Sequence, residues 1–92
     1  MQDNNQKYLK LTAMHARLAR SAINISQKDL SNHTSISVSS IARLEQSENY
    51  FQKTTKIIKR SLFDFYTKKK GIIFLFDDDN GGVGIRLKEK TS

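Results

Sequence analysis

The chain has 92 residues and a formal net charge of +7. That length suits one small domain, and that charge favours a polyanionic partner, nucleic acid or an acidic membrane, without implying sequence specificity. There is no cysteine, which excludes disulfide scaffolds and thiolate metal sites and makes the reducing cytosol a natural home. No apolar run approaches the roughly 20 residues of a membrane span.

The N-terminal stretch MQDNNQKYLK is polar and lacks the apolar core of a secretory signal. Residues 1–10 read as a flexible tail. From Leu11 to Ala22 the apolar positions Leu11, Met14, Leu18 and Ala22 recur at helical spacing and predict an amphipathic helix. It closes near Asn24, a residue tolerant of the left-handed conformation. Ser26 is a good N-cap for a second helix from Gln27 to about Asn32, with Leu30 as its inward anchor. His33, Thr34 and Ser35 form the turn. Ser37 caps a third helix whose inward residues are Ile41 and Leu44, and Ile36 before the cap can staple it to its neighbours.

The polar stretch 46–52 reads as a loop. Thr54 or Thr55 caps a fourth helix running to about Tyr66, with Ile57, Ile58, Phe63, Leu62 and Phe65 on its apolar side and Lys53, Lys56, Lys59 and Arg60 on the other. After Gly71 the character changes. Ile72 to Phe76 is an apolar run, Asp77 to Gly82 is dense in turn formers, and Val83, Ile85 and Leu87 alternate with Gly84, Arg86 and Lys88. Together these predict a β-hairpin. The expected fold is mainly α, four to five helices over residues 11–67, followed by a hairpin over 71–92. The first strand is apolar on both faces, so one face can pack on the helices and the other on a second copy of the chain. Ile72, Phe74, Phe76, Val83, Ile85 and Leu87 are therefore the candidate dimerisation residues.

The segment ISQKDLSNHTSISVSSIARLE has the form of a helix-turn-helix, whose second helix enters the major groove of DNA. Its third-helix start, Ser37-Val38-Ser39-Ser40, is richer in serine than a surface helix selected for stability alone. Small side chains let a helix sit deep in the groove. Val38 can meet a thymine methyl, Ser39 a base edge, and Arg43 can reach a guanine bidentately or hold a phosphate instead. The helix N-terminus at Ser26, Gln27 and Lys28 favours phosphate, and so do Lys53 and Thr54 at the head of the fourth helix. Between Lys53 and Lys70 there are seven basic residues and one acidic, Asp64.

Arg20, Ser26-Gln27, Leu30, Ile36-Ser37, Ile41, Leu44 and Glu45 resemble, in type and spacing, the XRE or phage-repressor family of helix-turn-helix regulators of bacteria and their mobile elements. The finish Val83-Gly84-Ile85-Arg86-Leu87 is similar to the strand-pair ending of some small regulators of this kind. The resemblance implies that Gln27 bonds a DNA phosphate, that Val38, Ser39 and Arg43 face base edges with Ser37 and Ser40 alongside, and that Arg20 and Glu45 form an internal ion pair. The chain departs from the family pattern where Ser35 stands in place of a turn glycine, where Gln46-Ser47 stands in place of another, and where Ser31 stands for alanine. The stretch from Glu45 to Gly71 is also longer.

Asp77-Asp78-Asp79 lacks the spaced ligands and closing glutamate of a calcium loop. His15 and His33 have no partners at metal spacing, and no nucleophile–base pair or phosphate-binding glycine loop is present. No cofactor and no enzymatic activity are expected. The sequence points to a homodimeric DNA-binding transcription regulator, a repressor if its inverted-repeat site overlaps a promoter, acting in the bacterial cytosol at the nucleoid. The alternative from another class is an antitoxin, with the hairpin as its toxin-binding element.

Overall fold

The computed structural model describes residues 4–88. It is mainly helical with a C-terminal two-stranded antiparallel hairpin. The first residues of the expected tail, 1–3, and the last of the expected hairpin segment, 89–92, lie outside the described residues. The order is a 3-10 helix Asn4–Lys10, then α1 Ala13–Ile23, α2 Gln27–Thr34, α3 Val38–Gln46, α4 Glu48–Lys53, α5 Lys56–Asp64, a wide π-type turn Phe65–Lys69, β1 Ile72–Leu75 and β2 Gly84–Leu87.

The helices start where hydroxyls accept the unpaired backbone N–H groups. Ser26 Oγ accepts from Asp29 N at 2.9 Å, Ser37 Oγ from Ser40 N at 3.1 Å, and Thr55 Oγ1 from Ile58 N at 3.3 Å. Thr12 caps α1 together with His15, whose Nδ1 accepts from Thr12 N at 3.0 Å. Asn24 closes α1 with φ 56, in the left-handed region. Ser35 closes α2 at φ 64, so α2 runs through His33 and Thr34 and the turn is sharper than the sequence suggests. A non-glycine residue held there carries backbone strain that glycine would not. At Ser47 the backbone is extended, φ −133, and no glycine is needed.

Four expectations change. Asn4–Lys10 is not a tail: its Tyr8 ring lies 5.6 Å beneath the Arg60 guanidinium of α5. The stretch 46–52 is not a loop but the end of α3 and most of α4, which Ser47 caps through Tyr50 N at 3.1 Å and Phe51 anchors at 0% exposure. On α1 the buried face is Ala13, Ala16 and Ala19 with His15, whereas Met14 and Leu18 are exposed at 45% and 37% and Ala22 is exposed. Small side chains let α1 approach its neighbours closely, and the bulkier residues do not fit between them. On α5, Ile57 is 81% exposed while Lys59 is buried. The Lys59 ammonium lies 5.9 Å from the centre of the Phe51 ring and donates to Gln52 O near the C-terminus of α4 at 3.3 Å, where the helix dipole favours a cation.

Leu30, Ile36, Ile41, Leu44, Phe51, Leu62, Phe65 and Tyr66 form one core with Ile72 and Phe74, and each large side chain buried there contributes about 1.5–3 kcal/mol. The hairpin pairs Ile72 with Leu87 and Phe74 with Ile85. Its tip is closed by mutual backbone bonds of Asp78 and Gly81, with Asn80 N donating to Asp78 Oδ1 at 2.8 Å. Gly71, at φ 71, turns the chain into β1. The candidate dimer set divides here. Ile72 and Phe74 are buried within their own chain, and Phe76 and Ile85 pack against that core. Val83 is half-buried, and Leu87 alone of the six is exposed, at 51%. Alternation distinguishes two faces of a strand but not which one a single chain can cover for itself.

His15 ties the hairpin down. It is fully buried, stands edge-on to Phe74 and tilted on Phe76, and its Nε2 donates to Leu75 O at 2.8 Å. Both ring nitrogens are satisfied by the neutral imidazole, because Nδ1 already accepts from Thr12. Burial lowers its pKa, opposed by the bond to Leu75 and the charge of Glu48.

Two outcomes follow from this packing. Ala19→Leu destabilises by about 1–3 kcal/mol through overpacking, whereas Ala22→Leu stays within about 0.5 kcal/mol; urea denaturation separates them, and the reverse order would restore the sequence-predicted face. The unfolded chain takes up a proton near pH 6.5 and the folded His15 only at lower pH. Its contribution is therefore complete above that value and falls as the pH drops towards the folded pKa. The urea midpoint of the wild type should fall between pH 7.5 and 5.5, and that slope should flatten in His15→Gln.

Candidate nucleic-acid interface

Ile41, Leu44 and Glu45 face inward on α3. The opposite side carries Ser39, Arg43 and Gln46, spaced four and three residues apart on one ridge, and all three are exposed. Val38, in the first turn, is 42% exposed. Gln46 belongs to this ridge although its sequence position reads as loop; extending the four-and-three spacing beyond Arg43 would have found it. Ser37 is occupied by capping, and it also donates to Ser40 Oγ at 2.9 Å. Ser40 is half-buried. Of the serines at the start of α3, Ser39 has the hydroxyl most available to a ligand; its contact with Ser37 is a long 3.4 Å.

The Arg43 guanidinium lies 5.3 Å from the centre of the Tyr50 ring, and no carboxylate pairs with it among the described residues. A cation over an aromatic face is held gently, by about 0.5–1 kcal/mol at an exposed site. Arg43 is thus steadied by Tyr50 without being neutralised. Tyr50 sits on α4, the helix the sequence did not reveal.

Behind the ridge, Arg20 meets Glu45 bidentately, Nε to Oε2 at 2.7 Å and Nη2 to Oε1 at 2.9 Å. Arg20 Nη1 also donates to Ile25 O at 3.0 Å, and the hydrogen bond to Glu45 raises its pKa. Gln27 Nε2 donates to Glu45 Oε1 at 3.2 Å. Arg17, which sequence reasoning passed over, donates to Glu45 O. Gln27 is therefore half-buried against α3, and Lys28 beside it is exposed. The start of α2 and the last turn of α3 are joined by the Gln27–Glu45 bond.

Lys53 is exposed and Thr54 half-buried. Thr54 ends α4, its N–H donating to Phe51 O at 3.2 Å, and the cap of α5 is Thr55. Lys68 pairs loosely with Asp64 at 3.7 Å, and Lys70 lies 5.7 Å from the Phe65 ring. The His33 ring stacks on Phe65 at 5.2 Å. Among the described residues no group of three His, Cys, Asp or Glu converges on a metal position, and no helix is long and apolar enough to cross a membrane.

Comparison with known protein families, with curated proteins and with solved structures gives no match to this chain. The functional reading therefore stands on the site itself.

Glu45 is 5% exposed, so removing its partner leaves a buried carboxylate with weaker compensation. Arg20→Ala should cost about 3–5 kcal/mol, read as a lower urea midpoint, whereas Arg43→Ala should leave the midpoint nearly unchanged. Equal losses for the two would show that Arg20 does not brace the fold.

Proposed function

We propose that this chain is a sequence-specific DNA-binding regulator of transcription, a repressor acting as a homodimer on an inverted repeat in the bacterial cytosol. The observation that carries the reading is the α3 ridge. Ser39, Arg43 and Gln46 project from one side of a short helix, with Val38 at its start, while Glu45 on the other side is clamped by Arg20, Gln27 and Arg17. A helix with a small, uncharged first turn and an arginine one turn later suits the width and hydrogen-bonding edges of the major groove. Gln27 and Lys28 at the start of α2, and Lys53 at the end of α4, supply phosphate contacts that fix register. A net charge of +7 supplies the sequence-independent attraction and makes binding salt-dependent. Two copies place their recognition helices in successive major grooves about 34 Å apart.

An antitoxin is the second reading, favoured by Ile73, which is 38% exposed on the hairpin face opposite Ile72 and Phe74. A toxin partner would cover that face, and co-purification with the product of an adjacent gene distinguishes the two.

Selection from a random duplex library should return a palindromic consensus; recovery of unrelated sequences would reduce the protein to a non-specific binder. On the selected site, Arg43→Ala should lose about 1–3 kcal/mol of affinity and relax preference at one base pair. An equal loss on scrambled duplex would assign Arg43 to phosphate.

A further inference from the structure

A groove of about 220 Å³ runs along β1, between the hairpin, the end of α5 and the 3-10 helix. Its floor is aromatic. Phe63 stacks on Phe74 with ring centres 5.7 Å apart and planes 25° apart, and Phe76, itself tilted on His15, stands beside them. Phe63 and Phe76 are half-buried, so part of each ring's surface is left to line the groove. Two cations complete the lining, Lys7 from the 3-10 helix and Lys88 from the end of β2. Among the described residues no carboxylate lines the groove, and neither lysine is ion-paired. We propose that this groove binds a small aromatic carboxylate, one or two rings carrying a single acid group. It shares no residue with the α3 ridge, so the site stands independently of the regulator reading.

Size, surface and charge select that class together. A dry cavity of about 150 Å³ already holds benzene, so this groove takes one ring or two, and it is too small for a helix of a folded partner. The stacked Phe63–Phe74 pair offers a flat apolar face, on which another ring gains by offset or edge-on contact. An apolar lining with a few charged groups at fixed places is the usual form of a small-molecule site.

The position of Lys88 is itself constrained. Its backbone N–H donates to Gly71 O at 2.9 Å. Its stem passes over Gly71, where an added methyl would meet the Lys88 Cβ at 3.6 Å and Cδ at 3.8 Å. A side chain laid down in this way loses less freedom when its ammonium takes up a ligand. With Lys7 contributed by a different element, a carboxylate is met by charge-assisted donors, whereas a cationic ring is repelled. A bare phosphate answers the lysines but leaves the aromatic floor uncovered, and a neutral ring does the reverse.

The test is titration of the full chain with phenylacetate, followed by backbone-amide NMR and calorimetry, against neutral phenylacetamide and inorganic phosphate. Phenylacetate should bind with a dissociation constant of about 1 mM or below, shifting the amides around Phe63, Ile73 and Phe76. Phenylacetamide should bind at least about tenfold more weakly, and phosphate at equal concentration should not displace phenylacetate. Replacing both cations, Lys7→Gln with Lys88→Gln, should weaken phenylacetate at least about tenfold and leave phenylacetamide within about twofold. Both positions are exposed, and far-UV circular dichroism checks the fold; the single variants, each weakened at least about threefold, serve if the double variant does not fold. Equal affinity for acid and amide, unchanged affinity in the folded variants, displacement by phosphate, or no binding at about 10 mM overturns the assignment. So does a chain that self-associates and loses phenylacetate binding as it does, because a second copy then fills the groove. No arm uses DNA, so a failure here leaves the regulator reading untouched, and a failed duplex selection leaves the groove's ligand in place.

Discussion

Glu45 receives both arms of the Arg20 guanidinium, an amide N–H from Gln27, and, through its backbone carbonyl, a bond from Arg17. These contacts join α1, the start of α2 and the end of α3. A bidentate guanidinium–carboxylate pair fixes angle as well as distance, so the tilt of α3 against the first two helices is set here. The net stability of such a pair is modest once desolvation is counted. Its larger effect is orientational: the core holds the inner side of α3, and the clamp fixes which way the outer side points.

The rest of the molecule preserves that arrangement with few large side chains. α1 approaches through Ala13, Ala16 and Ala19, and the one large side chain on its buried face is His15. The hairpin then covers the aromatic cluster of Phe63, Phe65, Tyr66 and Phe74, with His15 joining it to the first turn of α1. The Tyr66 hydroxyl is buried without a partner among the described residues, and burial raises its pKa, keeping the phenol neutral. It lies near enough to Arg20 and Glu45 for their charges to act on it, so the aromatic cluster and the clamp share one environment.

Much of this was legible in the sequence because capping chemistry is local. Ser26, Ser37, Thr55 and Asn24 each mark a helix end through hydrogen bonds or backbone conformation that involve only near neighbours. The inward residues Leu30, Ile41 and Leu44 were equally plain. What failed depended on distant partners. The rotation of α1 is not legible from apolar bulk, because Ala13, Ala16 and Ala19 occupy its buried face while Met14 and Leu18 stay exposed. Lys59 and Ile57 exchange roles because the Lys59 ammonium meets the Phe51 ring and the Gln52 carbonyl at the end of α4. α4 was hidden because its six residues, Glu48 to Lys53, bury only one large side chain, too few to establish a period. On the candidate interface the serines and Arg43 were readable from α3 alone, whereas Gln46 and the support of Tyr50 required knowing that α3 runs on and α4 follows.

The ridge on α3 is nearly free of structural duty. Ser39, Arg43 and Gln46 neither fill the core nor take part in the Glu45 clamp. Substitution at any of the three alters what this surface presents while leaving the packing and the clamp beneath it in place.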